Sequence, residues 1–169
     1  MRWPVRILLA LTALLLIGGM AFFGYAVHVR QQGNEYRFQV EAMLSAAAIA
    51  NQEELTDDPA KAVIASYAGQ KAVIHPENYR QLAFYLREDC VMSLFSKADR
   101  NSALEITFCG EDRLWASPAD NSGDRVTVHL ETGGKTFNMR VRGGGLWANL
   151  VACCTRGTYL ADNLPLEAE

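Results

Sequence analysis

A chain of 169 residues, half of them hydrophobic and 21% charged, is the size of one domain plus a short additional element. Residues 1–30 hold Arg2, Arg6 and Arg30 and no acid, so of 16 basic and 19 acidic side chains the remaining 139 residues keep 13 and 19. That acidic balance speaks against nucleic acid as a partner, since such binding needs a basic surface to neutralise phosphates.

Ile7 to Val27 is an uncharged run of 21 residues, enough to cross a bilayer core as one helix. A cleaved signal peptide has an apolar region of roughly 7–15 residues ending at a small-residue site. Here the run is longer, Phe22, Phe23 and Tyr25 crowd Ala21 and Ala26, and the segment closes on His28-Val29-Arg30. No lipobox cysteine follows. The sequence therefore predicts an uncleaved single-pass anchor that meets the lipid bilayer through residues 7–27, with 1–6 as a short cytoplasmic tail. Arg2 and Arg6 favour an inside N-terminus, although Arg30 and Arg37 reduce the difference across the span. The expected location is the cell membrane, with the C-terminal domain extracytoplasmic.

Residues 28–58 read as an amphipathic helical stalk. Tyr36, Val40, Met43, Ala47 and Ala50 share one helical face, the helix either continues the span or resumes after a bend at Gly33, and the acidic Glu53–Pro59 stretch stops it. An ectodomain is expected over 59–155. Its first part, Lys61 to His75, reads as a hairpin turning at Ala68-Gly69-Gln70-Lys71. Pro76 opens a helix to Cys90 whose buried face carries Tyr79, Leu82, Ala83, Leu86 and Cys90.

A β-meander follows. Leu104, Ile106 and Phe108, then Val126, Val128 and Leu130, then Phe137, Met139 and Val141 each alternate with polar residues, so each strand has one buried face. The short run Leu114-Trp115-Ala116 lies between them. Gly143-Gly144-Gly145 leads to LWANLVACC, a terminal helical turn, and 156–169 is a polar C-terminal tail. The fold class is α+β, an antiparallel sheet of hairpin plus meander with one or two packed helices behind a single N-terminal transmembrane helix.

Cys90, Cys109, Cys153 and Cys154 lack C-x-x-C spacing, so no metal site and no cofactor are expected. Outside the cytosol they could form disulfides, and because a vicinal bond is strained the sensible pairings join the Cys153–Cys154 pair to Cys90 and Cys109; the alternative is that Cys90, on an apolar helix face, is simply a small buried residue. The histidines do not converge: His28 sits at the interface, His75 precedes a proline, and alternation puts His129 on a solvent face. No G-x-S-x-G accompanies Ser117 or Ser122, so no catalytic residue is assigned. Asp120, Ser122, Asp124 and Glu131 mimic a calcium loop, but Arg125 stands where glycine is required, and the segment reads as a polar hairpin loop.

The binding candidate is Arg140 and Arg142 with Gly143, Gly144, Gly145, Trp147 and Asn149. If a strand ends at Arg142 and a helix starts near Leu146, glycine N–H groups converge at a helix N-terminus suited to an anion. The alternative is that an acidic neighbour such as Glu131, on the adjacent strand, pairs with one arginine and makes the pair structural. The functional expectation is a non-catalytic, membrane-anchored binding or scaffold module with a membrane or cell-envelope protein as partner. The alternatives are a pilin-like structural subunit, or a small-anion sensor or enzyme using the Arg140–Asn149 loop. Against the pilin reading, Arg6 rather than glycine precedes the apolar run, which contains no glutamate.

Overall fold

The computed structural model describes residues 3–93, 98 and 103–155, with side chains from residue 7 onward. The expected polar tail 156–169 lies outside the described residues. Helix α1 runs unbroken from Trp3 to Ala50, 48 residues. Its only proline is Pro4, in the first turn where the missing N–H costs nothing, and its glycines weaken it by about 1 kcal/mol each relative to alanine. Gly33 does not interrupt it. The side chains from Ile7 to Val27 are all exposed, which makes this half of the helix a candidate membrane span about 31 Å long.

The other half of α1 belongs to the domain core. Tyr36, Val40 and Ala47 are wholly buried, with Met43 and Leu44 nearly so, and the Tyr36 hydroxyl donates to the Leu86 carbonyl at 3.0 Å. The apolar face of this amphipathic half packs against the sheet and the second helix and supplies part of the core. After Ala50 the backbone reverses through Gln52 and Glu53, both with positive φ. The Glu53 N–H caps the Ala48 carbonyl at 3.0 Å, while the buried Asn51 amide donates to the Tyr79 hydroxyl at 2.9 Å.

Strands β1 (Val63–Tyr67) and β2 (Gln70–Val73) form the expected hairpin, but its turn is the two residues Ala68-Gly69, both at positive φ. The expected helix 76–90 divides. Pro76–Asn78 is a 3-10 turn capped by His75 Nδ1, which accepts from Glu77 N–H at 3.3 Å, and α2 spans only Tyr79–Arg87. Asp89 has a positive φ, so the chain leaves the helix before Cys90. It then enters a two-residue strand β3 (Val91–Met92) that periodicity does not reveal.

The meander comprises β4 (Leu104–Phe108), β5 (Asp112–Pro118), β6 (Arg125–Thr132) and β7 (Lys135–Arg142), followed by α3 (Leu146–Thr155). All seven strands join one antiparallel sheet in the order β2-β1-β4-β5-β6-β7-β3. The alternating sets Leu104/Ile106/Phe108, Val126/Val128/Leu130 and Phe137/Met139/Val141 face the core as the period-two pattern predicts. The three helices form the second layer: α1 packs on β3, β4 and β7, α3 on β1, β2 and β6, and α2 touches both helices. Lys135 in the β6–β7 hairpin pairs with Glu35, and Arg87 of α2 pairs with Glu41 at 2.9 Å. These bonds tie α1 to both layers.

Candidate functional site

The glycine loop after β7 folds as a clasp. Gly145 N–H donates to Asp124 Oδ1 at 2.7 Å, Gly143 N–H to the Asp124 carbonyl at 2.9 Å, and Trp147 N–H to the Gly123 carbonyl at 2.8 Å. The β5–β6 loop thus occupies the donors that were expected to receive an anion, and the negative charge a helix N-terminus attracts is the protein's own. Asn149 Nδ2 donates to the Gly144 carbonyl at 3.4 Å, and the Trp147 ring packs edge-on against Tyr67 with centroids 5.7 Å apart. A Cβ added at Gly123, where φ is +72°, would stand 3.2 Å from Trp147 Cβ. Close approach and left-handed backbone both ask for glycine there.

Arg140 and Arg142 are exposed on the face of β7 opposite the core, as alternation predicts. Glu131 is not their neighbour. In the β6–β7 register Glu131 faces Thr136 and its carboxylate accepts from His129 Nε2 at 2.9 Å, whereas Arg142 faces Arg125 and Arg140 faces Thr127. Like charges directly opposite on one sheet face are destabilising. Asp120 lies 3.8 Å from Arg125, while Arg142 makes no ion pair among the described residues. Desolvation, the largest single influence, pushes the Asp120 carboxyl up. Hydrogen bonds from Ser122 and from backbone N–H groups, together with the Arg125 charge, outweigh it and hold the group below the usual aspartate value.

Arg125 was missed in the sequence, although a signal for it exists. Gly133 and Gly134 both have positive φ, the requirement of a two-residue hairpin turn, and this pairs Thr132 with Lys135. Counting back from that pair sets Arg125 against Arg142.

On the same outer face, the centre of the sheet is closed to solvent. Trp115, Ser117, Thr127 and His129 are all buried, which corrects the expectation that His129 faces solvent. The ring of His129 lies 5.6 Å from that of Trp115, its Nδ1 is 2.7 Å from Asn138 Oδ1, and its Nε2 is engaged by Glu131. Both ring nitrogens are therefore committed, and neither is positioned as a base for Ser117, which sits one row away opposite Thr127. This cluster orders the outer face; it does not assemble a nucleophile with its activator.

The calcium-like carboxylates also disperse, Asp120 to Ser122 and Arg125, Asp124 to Gly145, and Glu131 to His129. No group of three His, Cys, Asp or Glu side chains able to hold a metal occurs among the described residues. All four cysteines are free thiols. Cys153 Sγ reaches the Asn78 carbonyl at the start of α2, while Cys90 Sγ accepts from Arg37 Nε at 3.1 Å, and that Nε also donates to the Arg87 carbonyl at the other end. Nine helical residues, about 13 Å, separate those ends, and disulfide Cα atoms must lie within about 7 Å, so Cys90 and Cys153 do not meet in this fold. Cys109 lies apart from both, its thiol directed at the Lys61 carbonyl.

A groove of about 790 Å³ runs between α1 and α2, lined by Arg37, Glu41, Leu44, Tyr79, Phe84 and Arg87. Arg87 pairs there with Glu41 and Arg37 donates to the Arg87 carbonyl, while the buried Arg87 Nε has no hydrogen-bond partner among the described residues. Its lining residues include no histidine or cysteine.

No family model matches the chain, and no curated protein or solved structure is similar to it. The functional reading therefore rests on the site itself.

Proposed function

We propose that the chain is a membrane-anchored binding module, not a catalyst, held by residues 7–27 with its α+β domain on the extracytoplasmic side. Its ligand face is the arginine row at the β6–β7 end of the outer sheet surface. The observation that carries the reading is the register of Arg142 against Arg125, with Arg140 one row away. Arg125 has Asp120 beside it, whereas the exposed Arg142 makes no ion pair among the described residues and can engage carboxylate or phosphate by two parallel hydrogen bonds. The partner class is thus an anionic envelope component or an acidic protein surface.

Titrating the full chain in detergent with polyphosphate and with polyglutamate, at low and high salt, tests this. Arg140→Ala with Arg142→Ala should weaken binding at least tenfold, and salt should weaken the parent protein more than the variant. Unchanged binding curves accompanied by a lower melting temperature would make the arginines structural and end the reading.

A second reading, a pilin-like structural subunit, is favoured by one feature. A single unbroken helix leaves one half bare and lays the other across an antiparallel sheet. The arginine before the apolar run and the lack of an acid within it weigh against it.

A further inference from the structure

The face of α1 turned away from the sheet carries exposed apolar side chains that no other described residue covers. Phe38 is 67% and Ile49 79% exposed, while Tyr36, Val40, Met43 and Ala47 on the opposite side fill the core. Phe38, Ala42, Ser45 and Ile49 follow one another at steps of four, three and four residues, the spacing of a coiled-coil seam. The same count carried back into the apolar half reaches Gly24, Ala21, Ile17 and Leu14, all exposed and all small or aliphatic. Only His28, Gln31 and Glu35, at the expected membrane surface, interrupt it, and Glu35 is already bound to Lys135. Glu41, which borders the seam, is likewise held by Arg87, so no unpaired charge flanks Phe38 to Ile49.

From this geometry we infer that α1 pairs with α1 of a second copy of this chain in a parallel, left-handed coiled coil. The inference rests on the anchored reading above, because the bilayer supplies the alignment. With residues 7–27 in the membrane, Phe38 stands about 16 Å and Ile49 about 33 Å beyond Val27, too far out for lipid to cover an upright helix. Any second copy is anchored at the same depth and in the same direction, so it presents an identical seam at the same height. Beyond Val27 the seam is about 33 Å long, and at a helix width of about 11 Å it offers on the order of 360 Å² per chain, less than the roughly 800 Å² a side of a stable interface between free proteins; packing of the two anchored halves and their shared depth supply the remainder. Ala21, Gly24, Ala42 and Ser45 are small enough for close helix approach, and a strict seven-residue repeat winds two helices left-handedly. In this arrangement the arginine rows of the two domains, on the far side of each sheet, both face outward.

The test places single cysteines at Ala42, Ser45 and, as a control on the exposed β-hairpin, Gln70 in the full chain. Membranes of expressing cells are then oxidised and the disulfide-linked dimer is measured. We expect at least tenfold more dimer for Ala42→Cys and Ser45→Cys than for Gln70→Cys, and its loss when Phe38→Glu and Ile49→Glu are added, since both positions are exposed and tolerate the change without refolding. Protein that stays in the membrane fraction with all three positions at the parental level overturns the pairing and leaves the anchor standing. A cross-link from 42 or 45 to a protein of another mass overturns it in favour of a foreign partner helix. Protein recovered outside the membrane fraction overturns pairing and anchor together.

Discussion

Asp124 Oδ1 accepts the Gly145 N–H at 2.7 Å, so the N-terminus of α3 draws its anion from a loop 21 residues earlier in the chain. That bond joins the β5–β6 loop, the β7 exit and the last helix. Asp124→Ala removes a charge-assisted cap and should cost about 1–2 kcal/mol in urea unfolding, with Asp124→Asn losing less because its carbonyl still accepts. Hydrogen exchange offers the local check: the first amides of α3 should lose protection in the alanine variant. Unchanged exchange there would mean that the clasp does not hold the helix.

This bond also marks where reading the sequence stopped. The three-glycine loop, the strand before it and the helix after it were all visible, because glycine clusters and a change of hydrophobic period are local signals. That Asp124 fills the loop was not, since nothing local links residues 124 and 145. The long helix and the buried faces of β4, β6 and β7 were legible for the same local reason. By contrast, the early end of α2 depends on Asp89 at φ +42°, a conformation that residue type only weakly predicts, and β3 is too short to show a period. His129 illustrates a third limit. Alternation assigned its side of the sheet correctly, but a period says nothing about whether that side is covered.

The thiols should differ sharply in reactivity. Cys90, Cys153 and Cys154 are buried, and burial pushes Cys153 up to about 11 and Cys154 higher still, so few thiolates form at neutral pH. Cys109 is half-exposed. Its pKa is raised by desolvation and by the nearby acids Asp112 and Glu111, yet reagent can reach it. Alkylation of native protein at pH 8 followed by mass spectrometry should label Cys109 first and the other three only on unfolding. The long-range disulfide expected from the spacing is read in the same experiment without reductant. A peptide joining Cys90 to Cys153 would contradict the placement of those residues at opposite ends of α2.

The same burial gives an alkaline sensitivity with a definite sign. A thiol whose folded pKa lies above its unfolded value near 9 contributes fully below pH 9, and the contribution is lost as pH rises toward the folded value. Buried Tyr36, raised by desolvation and by Cys90, and Tyr79, raised mainly by desolvation, add the same trend above pH 10. Urea midpoints should therefore fall between pH 9 and 11, and Cys154→Ala should flatten the early part of that fall. A midpoint that held steady or rose over this range would show that these groups titrate as they do in the unfolded chain.

Removal of the His129 ring tests whether the buried outer face is structural. It removes one hydrogen bond each from the exposed Glu131 carboxylate and the half-buried Asn138, and the ring contact with the buried Trp115. His129→Ala should cost about 1–3 kcal/mol through the packing lost around the buried ring, and it should quench or shift the Trp115 fluorescence contribution. Loss of less than about 0.5 kcal/mol, the scale of an ordinary surface substitution, would show that the cluster contributes little to the fold.

The last prediction concerns topology, on which the anchored reading depends. An uncharged 21-residue helical segment preceded by Arg2 and Arg6 should keep the N-terminus inside and place every later residue outside. A reporter active only outside the cytoplasm, fused after Glu169, should be active, and a cytoplasmic reporter at the same point silent. The basic residues beyond the span make the outcome sensitive to charge, because Arg30 and Arg37 oppose the leading pair. Arg2→Glu with Arg6→Glu should therefore shift a measurable fraction of molecules to the reverse orientation, while Arg30→Gln should strengthen the normal one. If the parent protein lights the cytoplasmic reporter, the domain faces inward and its arginine row must serve a cytoplasmic partner. If neither substitution moves the ratio, orientation is set by something other than the flanking charge.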